Sequence, residues 1–177
     1  MRKQKGFSLI ELLIVVAIIL IIAAIAIPNL LRARIAANES SAVSSIRTIN
    51  TAEVTYNSSY PTVGYAATLT ALGGATPCTP ASTTACLIDN VLAQDGTPAG
   101  SGKSGYGIVA LGTAGAGGLN TTYVAGAAPL NWNQTGIRRF CSVEDAVLRA
   151  DPNLGKSQTP EAAHDTCLGA PYVPLNQ

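Results

Sequence analysis

The amino-terminal part of the chain is its most hydrophobic stretch. Between Phe7 and Ile27 only Ser8 and Glu11 have polar side chains, and residues 12–27 have none. A helix of about 20 residues rises roughly 30 Å, which is the thickness of the hydrocarbon core of a bilayer. The pattern therefore predicts a membrane-spanning helix that is apolar on every face and carries a carboxylate near its start.

A second hydrophobic pattern follows Pro28. Apolar side chains recur there about every 3.6 residues, which predicts an amphipathic helix with one buried face. The members of this face are Ile35, Ala42, Ile46, Ile49 and Tyr56. Pro28 lacks an amide hydrogen and is expected to kink the helix. Glu53 falls on the apolar face, and we expect it to be a boundary residue whose carboxylate reaches solvent.

Turn-forming residues at 57–61 end this helix, and the helical period is lost beyond them. Residues 62–120 are rich in Gly, Ala, Thr, Ser and Pro and predict a long connection that leads into the first strand. Four short runs with strand-forming residues are separated by turn residues, namely 106–111, 121–125, 137–141 and 146–150. The tail, 151–177, contains four prolines and predicts irregular coil held against the sheet.

These elements predict an α+β fold. A long helix kinked at Pro28 has an apolar half followed by an amphipathic half. The amphipathic half packs on a small antiparallel sheet of about four strands, and the C-terminal region is rich in loops.

Charge sets the orientation of the membrane helix. The chain is 12% charged with a formal net charge of +1, and it has no basic run beyond its first five residues. Nucleic-acid binding is therefore not expected. Arg2, Lys3 and Lys5 precede the apolar run, and positive charges at that end favour the cytoplasmic side. Everything after Pro28 would then be exported.

The carboxylate of Glu11 helps to distinguish the possible roles of the apolar run. A cleaved secretory signal peptide would use the A-x-A site at residues 24–26, but the run is longer than the 7–15 residues typical of such a core. A plain membrane anchor leaves Glu11 without a role, although a charge inside a membrane helix costs roughly 2.5–3.5 kcal/mol. We therefore expect a partner. Cleavage between Gly6 and Phe7 would create an α-amine, and a neighbouring staggered helix could offer that amine to Glu11.

The stretch KGFSLIELLIVVAIILIIAAIAIP closely resembles the class III signal of type IV pilins and type II secretion pseudopilins. The resemblance implies that Gly6 ends a leader that a dedicated peptidase removes and that Phe7 becomes the N-methylated terminus. It also implies that Glu11 is the carboxylate that registers subunits during assembly and that Pro28 is the motif's proline. The expected divisions are a leader at 1–6, a membrane and assembly helix at 7–28, an amphipathic helix at 29–58 and a globular head at 59–177.

The four cysteines, Cys78, Cys86, Cys141 and Cys167, all lie in the part expected to be exported, and an even number there indicates disulfides. Three connectivities are possible. We favour nearest neighbours, Cys78 with Cys86 and Cys141 with Cys167, because each pair would tie down a loop. The second pair also matches the resembling family's habit of a disulfide near the C-terminus. A metal site is the rival interpretation, but no C-x-x-C spacing is present.

Candidate enzymatic and ligand sites lack the patterns that their chemistry needs. His164 and Asp165 have no nucleophile elbow near them, so His164 is expected to be an exposed tail histidine. The glycine-rich run 112–118 lacks the lysine of a phosphate loop. Asp145, Asp151 and Asp165 lack calcium-loop spacing and are expected to be solvated carboxylates. No cofactor and no metal are expected. N-x-S/T triplets begin at Asn38, Asn57, Asn120 and Asn133, as chance allows in a chain rich in Ser and Thr.

The resemblance implies a major type IV pilin, a non-enzymatic subunit that polymerises through its N-terminal helix into an extracellular filament. Its partners would be copies of itself, the prepilin peptidase and methylase, the pilus assembly machinery and, before assembly, the bacterial inner membrane. One alternative is a pseudopilin of a type II secretion system, which forms a short periplasmic piston. Another is a membrane-anchored periplasmic module that does not polymerise.

Overall fold

The structure, a computed structural model, describes residues 7–94, 102–115 and 117–175. The chain divides into two units, Met1–Arg34 and Ile35–Gln177. The helices are α1 (Leu9–Ser59), α2 (Leu69–Leu72) and α3 (His164–Leu168), and the strands are β1 (Tyr106–Ala114), β2 (Asn120–Pro129), β3 (Arg139–Val143), β4 (Arg149–Asp151) and β5 (Val173–Pro174).

In the first unit, α1 begins at Leu9 and is apolar on all sides. Its large side chains are exposed, with values from 75% at Leu9 to 39% at Leu31. Pro28 lies inside α1. Since proline has no amide hydrogen, the carbonyl of Ala24 lacks its usual helical donor at this point. The kink at Pro28 stays a prediction.

The second unit contains a five-stranded antiparallel sheet in the order β1-β2-β3-β4-β5. The α+β fold, with the helix packed on an antiparallel sheet, is confirmed. The predicted strand at 146–150 was placed too early, because β4 begins only at Arg149. Ala146 has a φ of 56°, and the Asp145 carboxylate accepts a hydrogen bond from the Val147 amide, so a turn occupies these residues.

One face of the sheet packs against α1. Apolar side chains of the helix and the sheet form the main core there, among them Ile46, Ile49, Tyr123, Ala125 and Phe140. All five residues that were predicted to form the buried face of the helix are buried, at 8% exposure or less. The period of 3.6 residues therefore identified this face correctly.

The other face of the sheet is covered by the C-terminal segment. Because side chains alternate along a strand, Val124 and Val143 lie on the face opposite Tyr123 and Ala125. They form a second cluster with Cys141, Cys167 and Tyr172. Gly126 lies under this segment, and a Cβ at that position would be only 2.1 Å from the Glu161 carbonyl oxygen. The segment therefore requires a glycine at this point of β2.

The C-terminal tail is more ordered than its sequence predicts. It was expected to be irregular coil, but it contains α3 and β5. β5 pairs with β4, with Val173 opposite Ala150, and extends the sheet from the expected four strands to five. The short helix α2 in the connection after α1 was not predicted either.

Glu53 corrects another expectation, since its carboxylate does not reach solvent. The residue is 0% exposed. Its Oε2 accepts a hydrogen bond of 2.9 Å from the Ala66 amide, whereas Oε1 has no partner among the described residues. Burial raises the pKa of Glu53 to about 7 against the opposing effect of the Ala66 hydrogen bond. The loop after α1 folds back over this position, which a helical pattern alone cannot reveal.

Candidate functional site

The candidate site is the amino-terminal segment that holds Gly6, Phe7, Glu11 and Pro28. Gly6 lies outside the described residues. Phe7 precedes α1 and is 89% exposed, and Glu11 lies in the first turn of the helix. Phe7 and Glu11 thus lie at the same end of α1, whereas Pro28 lies about five turns further along.

Glu11 has a partner within its own helix. Its Oε2 accepts a hydrogen bond of 2.9 Å from the Ser8 amide, and the Ser8 carbonyl accepts one of 3.2 Å from the Leu12 amide. Ser8 therefore occupies the N-cap, and Glu11 at the third helical position supplies the reciprocal half of a capping box. A carboxylate at this place is also favoured by the helix dipole.

The signal for this cap was present in the sequence. Ser8 and Glu11 have the S-x-x-E spacing of a capping box directly before an apolar run. The prediction from the sequence was instead a partner in another subunit, because a plain anchor leaves Glu11 without a role. The Glu11 carboxylate therefore has a local role as a helix cap within a single subunit. A charged partner from another subunit would be a second interaction of the same carboxylate.

The apolar surface that follows Glu11 is extensive. Leu9, Leu12, Leu13 and Val16 lie on one side of α1 at helical spacing and line a shallow apolar groove. The exposed apolar residues are not confined to this side. Among the described residues, α1 is the helix long and apolar enough to cross a membrane, and its most apolar window has a mean hydropathy of 3.3. A surface of this kind needs lipid or other apolar helices around it.

Polar contacts attach the amphipathic part of α1 to the rest of the second unit. Glu39 accepts hydrogen bonds from the Arg138 guanidinium at 2.9 and 2.7 Å and from the amides of Ile137 and Arg138 at 3.2 and 3.1 Å. Asn38 donates to the Thr135 carbonyl at 2.8 Å. Both guanidinium nitrogens donate to Oε2 and both amides donate to Oε1, so the four hydrogen bonds fix the orientation of the carboxylate. These contacts join residues almost a hundred positions apart, and sequence reasoning did not find them.

The structure pairs Cys78 with Cys86 and Cys141 with Cys167, with Cα–Cα distances of 6.1 and 6.0 Å. The first disulfide lies in the connection between α2 and β1. The second attaches α3 to β3 across the face of the sheet opposite α1. Disulfide bonds are confirmed as a feature of the chain.

The three aspartates that were considered for calcium bind different partners. Asp145 pairs with Arg149 and Asp165 with His164, while Asp151 pairs with Arg139. Asp151 is only 3% exposed and is therefore not the solvated carboxylate that was expected. In the part of the chain that the structure describes, no group of three or more His, Cys, Asp or Glu residues is arranged to hold a metal ion.

His164 also differs from its prediction. It was expected to be an exposed tail histidine, but its side chain is only 18% exposed and lies between two carboxylates. Hydrogen bonds with Asp165 and Glu144 raise the pKa of His164 despite partial burial. The expectation failed because Glu144 lies 20 positions away along the chain.

Comparison with known proteins points to the same amino-terminal segment. The prokaryotic N-terminal methylation motif matches residues 1–27, which include Gly6, Phe7 and Glu11. The type IV wide pilus major component PilA4 of Thermus thermophilus is 69% identical over 39 residues, or 22% of this chain and 30% of that protein.

Two further relatives show the same partial coverage. The type IV major pilin protein PilA of Myxococcus xanthus is 45% identical over 54 residues, which are 30% of this chain and 24% of that protein. The type II secretion system core protein G of Vibrio cholerae is 43% identical over 65 residues, which are 35% of this chain and 44% of that protein.

The matches thus span less than half the length of each relative. No solved structure matches the chain. Three observations agree with one another: the methylation motif, the similarity to both kinds of relative, and the long apolar helix with its antiparallel sheet. The amino-terminal part of the chain, which the motif and the relatives cover, is of the type IV pilin and type II secretion pseudopilin kind.

Proposed function

We propose that this protein is the major subunit of a type IV pilus, a structural and non-enzymatic protein that polymerises into an extracellular filament. The observation that carries the proposal is the exposed apolar surface of α1 in the first unit, from Leu9 to Leu31. Copies of the same helix can replace lipid around that surface. A contact of this kind that does not close into a ring propagates as a filament. Two of the relatives are named as major pilus components.

Maturation would follow the methylation motif. A prepilin peptidase would cut between Gly6 and Phe7, and the new amino group of Phe7 would be methylated. Both residues lie in the matched segment, which supports this assignment. The mature divisions would be 7–28 for membrane and assembly, 29–58 for the amphipathic helix and 59–177 for the head. Pro28 would kink the helix between the first two.

Glu11 would register each subunit against the next. The Phe7 α-amine of an adjacent, staggered subunit would pair with the Glu11 carboxylate inside the apolar bundle. An uncompensated charge in that environment is costly, so the pairing would penalise wrong registers more than it would add stability. The Ser8 amide already stabilises this carboxylate in the single chain, which helps to explain how Glu11 is tolerated near a membrane before assembly.

The subunit would be held in the inner membrane, with residues 7–28 in the bilayer, and would reach the cell surface on assembly. The leader's basic residues support a cytoplasmic amino terminus. The disulfides support export of the head to an oxidising compartment. Besides copies of itself, its partners would be the processing peptidase and the pilus assembly machinery.

A second candidate is a pseudopilin of a type II secretion system, which the similarity to protein G of Vibrio cholerae favours. The position of the filament separates the two, since a pilus extends outside the cell and a pseudopilus stays in the periplasm. A membrane-anchored module that does not polymerise is a third candidate. It would require neither cleavage at Gly6 nor a carboxylate at Glu11.

Replacing Glu11 with Ala tests the proposal. We expect filaments to disappear from the cell surface while the membrane-bound subunit persists at its normal level, as measured by shearing, electron microscopy and immunoblotting of membranes. Asp89→Asn is a matched control, because it removes an exposed carboxylate of the head. Normal filaments in the Glu11→Ala strain would refute the role of Glu11. Mass spectrometry of sheared filaments should find a mature chain that begins at methylated Phe7, and a retained leader would refute the proposed maturation.

A further inference from the structure

The C-terminal segment covers the face of the sheet opposite α1, and it is held to the sheet by contacts near His164. α3 begins at this residue, and Cys167 in the next turn is bonded to Cys141 of β3. β5 follows and pairs with β4. The disulfide and the strand pairing hold the later part of the segment at any pH. At the beginning of α3, the Glu161 carboxylate accepts hydrogen bonds from the amides of Ala162 and Ala163, and His164 joins the segment to the turn after β3.

The imidazole of His164 has a carboxylate at each ring nitrogen. Nε2 lies 3.0 Å from both carboxylate oxygens of Glu144, in the turn after β3. Nδ1 lies 3.0 Å from Oδ1 of Asp165. A neutral imidazole has a single N–H and an unprotonated nitrogen on the other side. Only the imidazolium can donate to both carboxylates at once, so this geometry is complete only when His164 is charged.

The other charged groups around His164 have partners of their own. Asp145 is paired with Arg149, whose Nη1 lies 3.1 Å from Oδ1 of Asp145. Three carboxylates, those of Glu144, Asp145 and Asp165, therefore surround one imidazole and one guanidinium. Loss of the proton from His164 would leave a lone pair facing a carboxylate and would add one unit of negative charge to the cluster.

We propose that His164 is a pH-dependent fastener for the segment between β4 and the Cys141–Cys167 disulfide, closed when the imidazole is charged and open when it is neutral. Opening would loosen residues 157–166, whose backbone at Glu161 lies directly over Gly126 of β2. The sheet and the disulfide would remain. The surface of the head would thus respond to the pH outside the cell, which goes beyond the role of the protein as a filament subunit and does not depend on assembly.

The direction of the response follows from the chemistry. Asp165 and Glu144 raise the pKa of His164 above the ordinary value of 6.5. A raised pKa means that the folded contact is fully present below pH 6.5 and is lost as the pH rises through the higher folded value. The segment should therefore be fastened in mildly acidic medium and released in alkaline medium.

Hydrogen exchange of the purified full-length protein in detergent tests this, with each measured rate divided by the intrinsic rate at the same pH. In the wild type, we expect protection of residues 157–166 to fall roughly tenfold between pH 5 and pH 9, as loss of a hydrogen bond to a charged group would allow. Protection of β1 should not change. His164→Gln should show low protection at every pH.

His164→Arg is the decisive control, because arginine stays charged across this range. It should keep the segment protected up to pH 9 if charge closes the contact. Constant protection of the wild-type segment, or the same pH response in His164→Gln, would overturn the proposal. Glu144→Gln should weaken the response, since it removes the carboxylate opposite Nε2.

Discussion

The two units of the chain use the same helix in opposite ways. In the first unit, the large apolar side chains of α1 are exposed, as at Ile18 with 52% exposure. In the second unit, one face of the same helix is buried in the core of the head, as at Ile46 with 0% exposure. The apolar surface of the first unit therefore needs lipid or neighbouring helices to cover it. The apolar face of the helix in the second unit is covered by the sheet and loops of the same chain.

The difference predicts that similar substitutions in the two parts break different properties. Ile46→Ala should destabilise the head by about 2–5 kcal/mol, because it removes buried apolar volume that the core cannot fully collapse to replace. Ile18→Ala should leave the unfolding of the head unchanged. Chemical denaturation of the full-length protein in detergent, followed by the fluorescence of Trp132, measures both.

The same pair of variants should differ again in assembled filaments. Ile18→Ala is the matched control for Ile46→Ala, since both shorten an isoleucine on α1. We expect Ile18→Ala to weaken the filament, so that it dissociates at a lower detergent concentration. If Ile18→Ala also destabilised the head, the separation of roles along α1 would be wrong.

The helix pattern predicts one side of this comparison well, because the signal is local. Apolar residues at a period of 3.6 identify the face of the helix that packs on the sheet. A run without polar residues indicates that the helix of the first unit is apolar on every side. The S-x-x-E spacing of Ser8 and Glu11 is also a local signal, but the spacing alone does not show whether the carboxylate caps its own helix or pairs with another subunit.

The buried charges could not be predicted in this way, because their partners are distant in sequence. Glu53 is covered by the loop at Ala66, and Glu39 accepts hydrogen bonds from Arg138, which lies 99 positions further along the chain. A helical pattern shows only which side a residue faces. Whether a loop then covers that side, and whether a donor arrives with it, depends on the complete fold.

Glu53 allows a test of the head that has no equivalent in the first unit. Its pKa is raised by burial to about 7, from an ordinary value of 4.5. The folded state thus holds a proton between these values that the unfolded state releases. The contribution of protonated Glu53 to the free energy of unfolding is fully present below pH 4.5 and is lost as the pH rises through 7. The difference between the two pKa values corresponds to about 3 kcal/mol.

Glu53→Gln should remove this pH dependence, because the amide does not titrate and its oxygen can still accept the Ala66 hydrogen bond. Unfolding free energies at several values between pH 4 and pH 8 measure the effect. Glu161→Gln is the control for loss of a carboxylate outside the core. Since His164 changes stability in the same direction, the difference between wild type and Glu53→Gln isolates Glu53. If the unfolding free energies of the wild type and Glu53→Gln changed in parallel with pH, Glu53 would not be the source of the pH dependence.

The smallest expected effect concerns the side-chain hydrogen bond that the structure describes in the first unit, between the Glu11 carboxylate and the Ser8 amide. Glu11→Ala removes the acceptor and should cost about 0.5–1 kcal/mol of local stability, so the Ser8 amide should exchange a few times faster in detergent. Glu11→Gln retains an acceptor oxygen and should leave this exchange nearly unchanged. Both variants lack the charge and should fail to form filaments. Equal exchange in the two variants would mean that the cap contributes nothing, whereas filaments in Glu11→Gln alone would mean that capping, and not charge, is what assembly requires of Glu11.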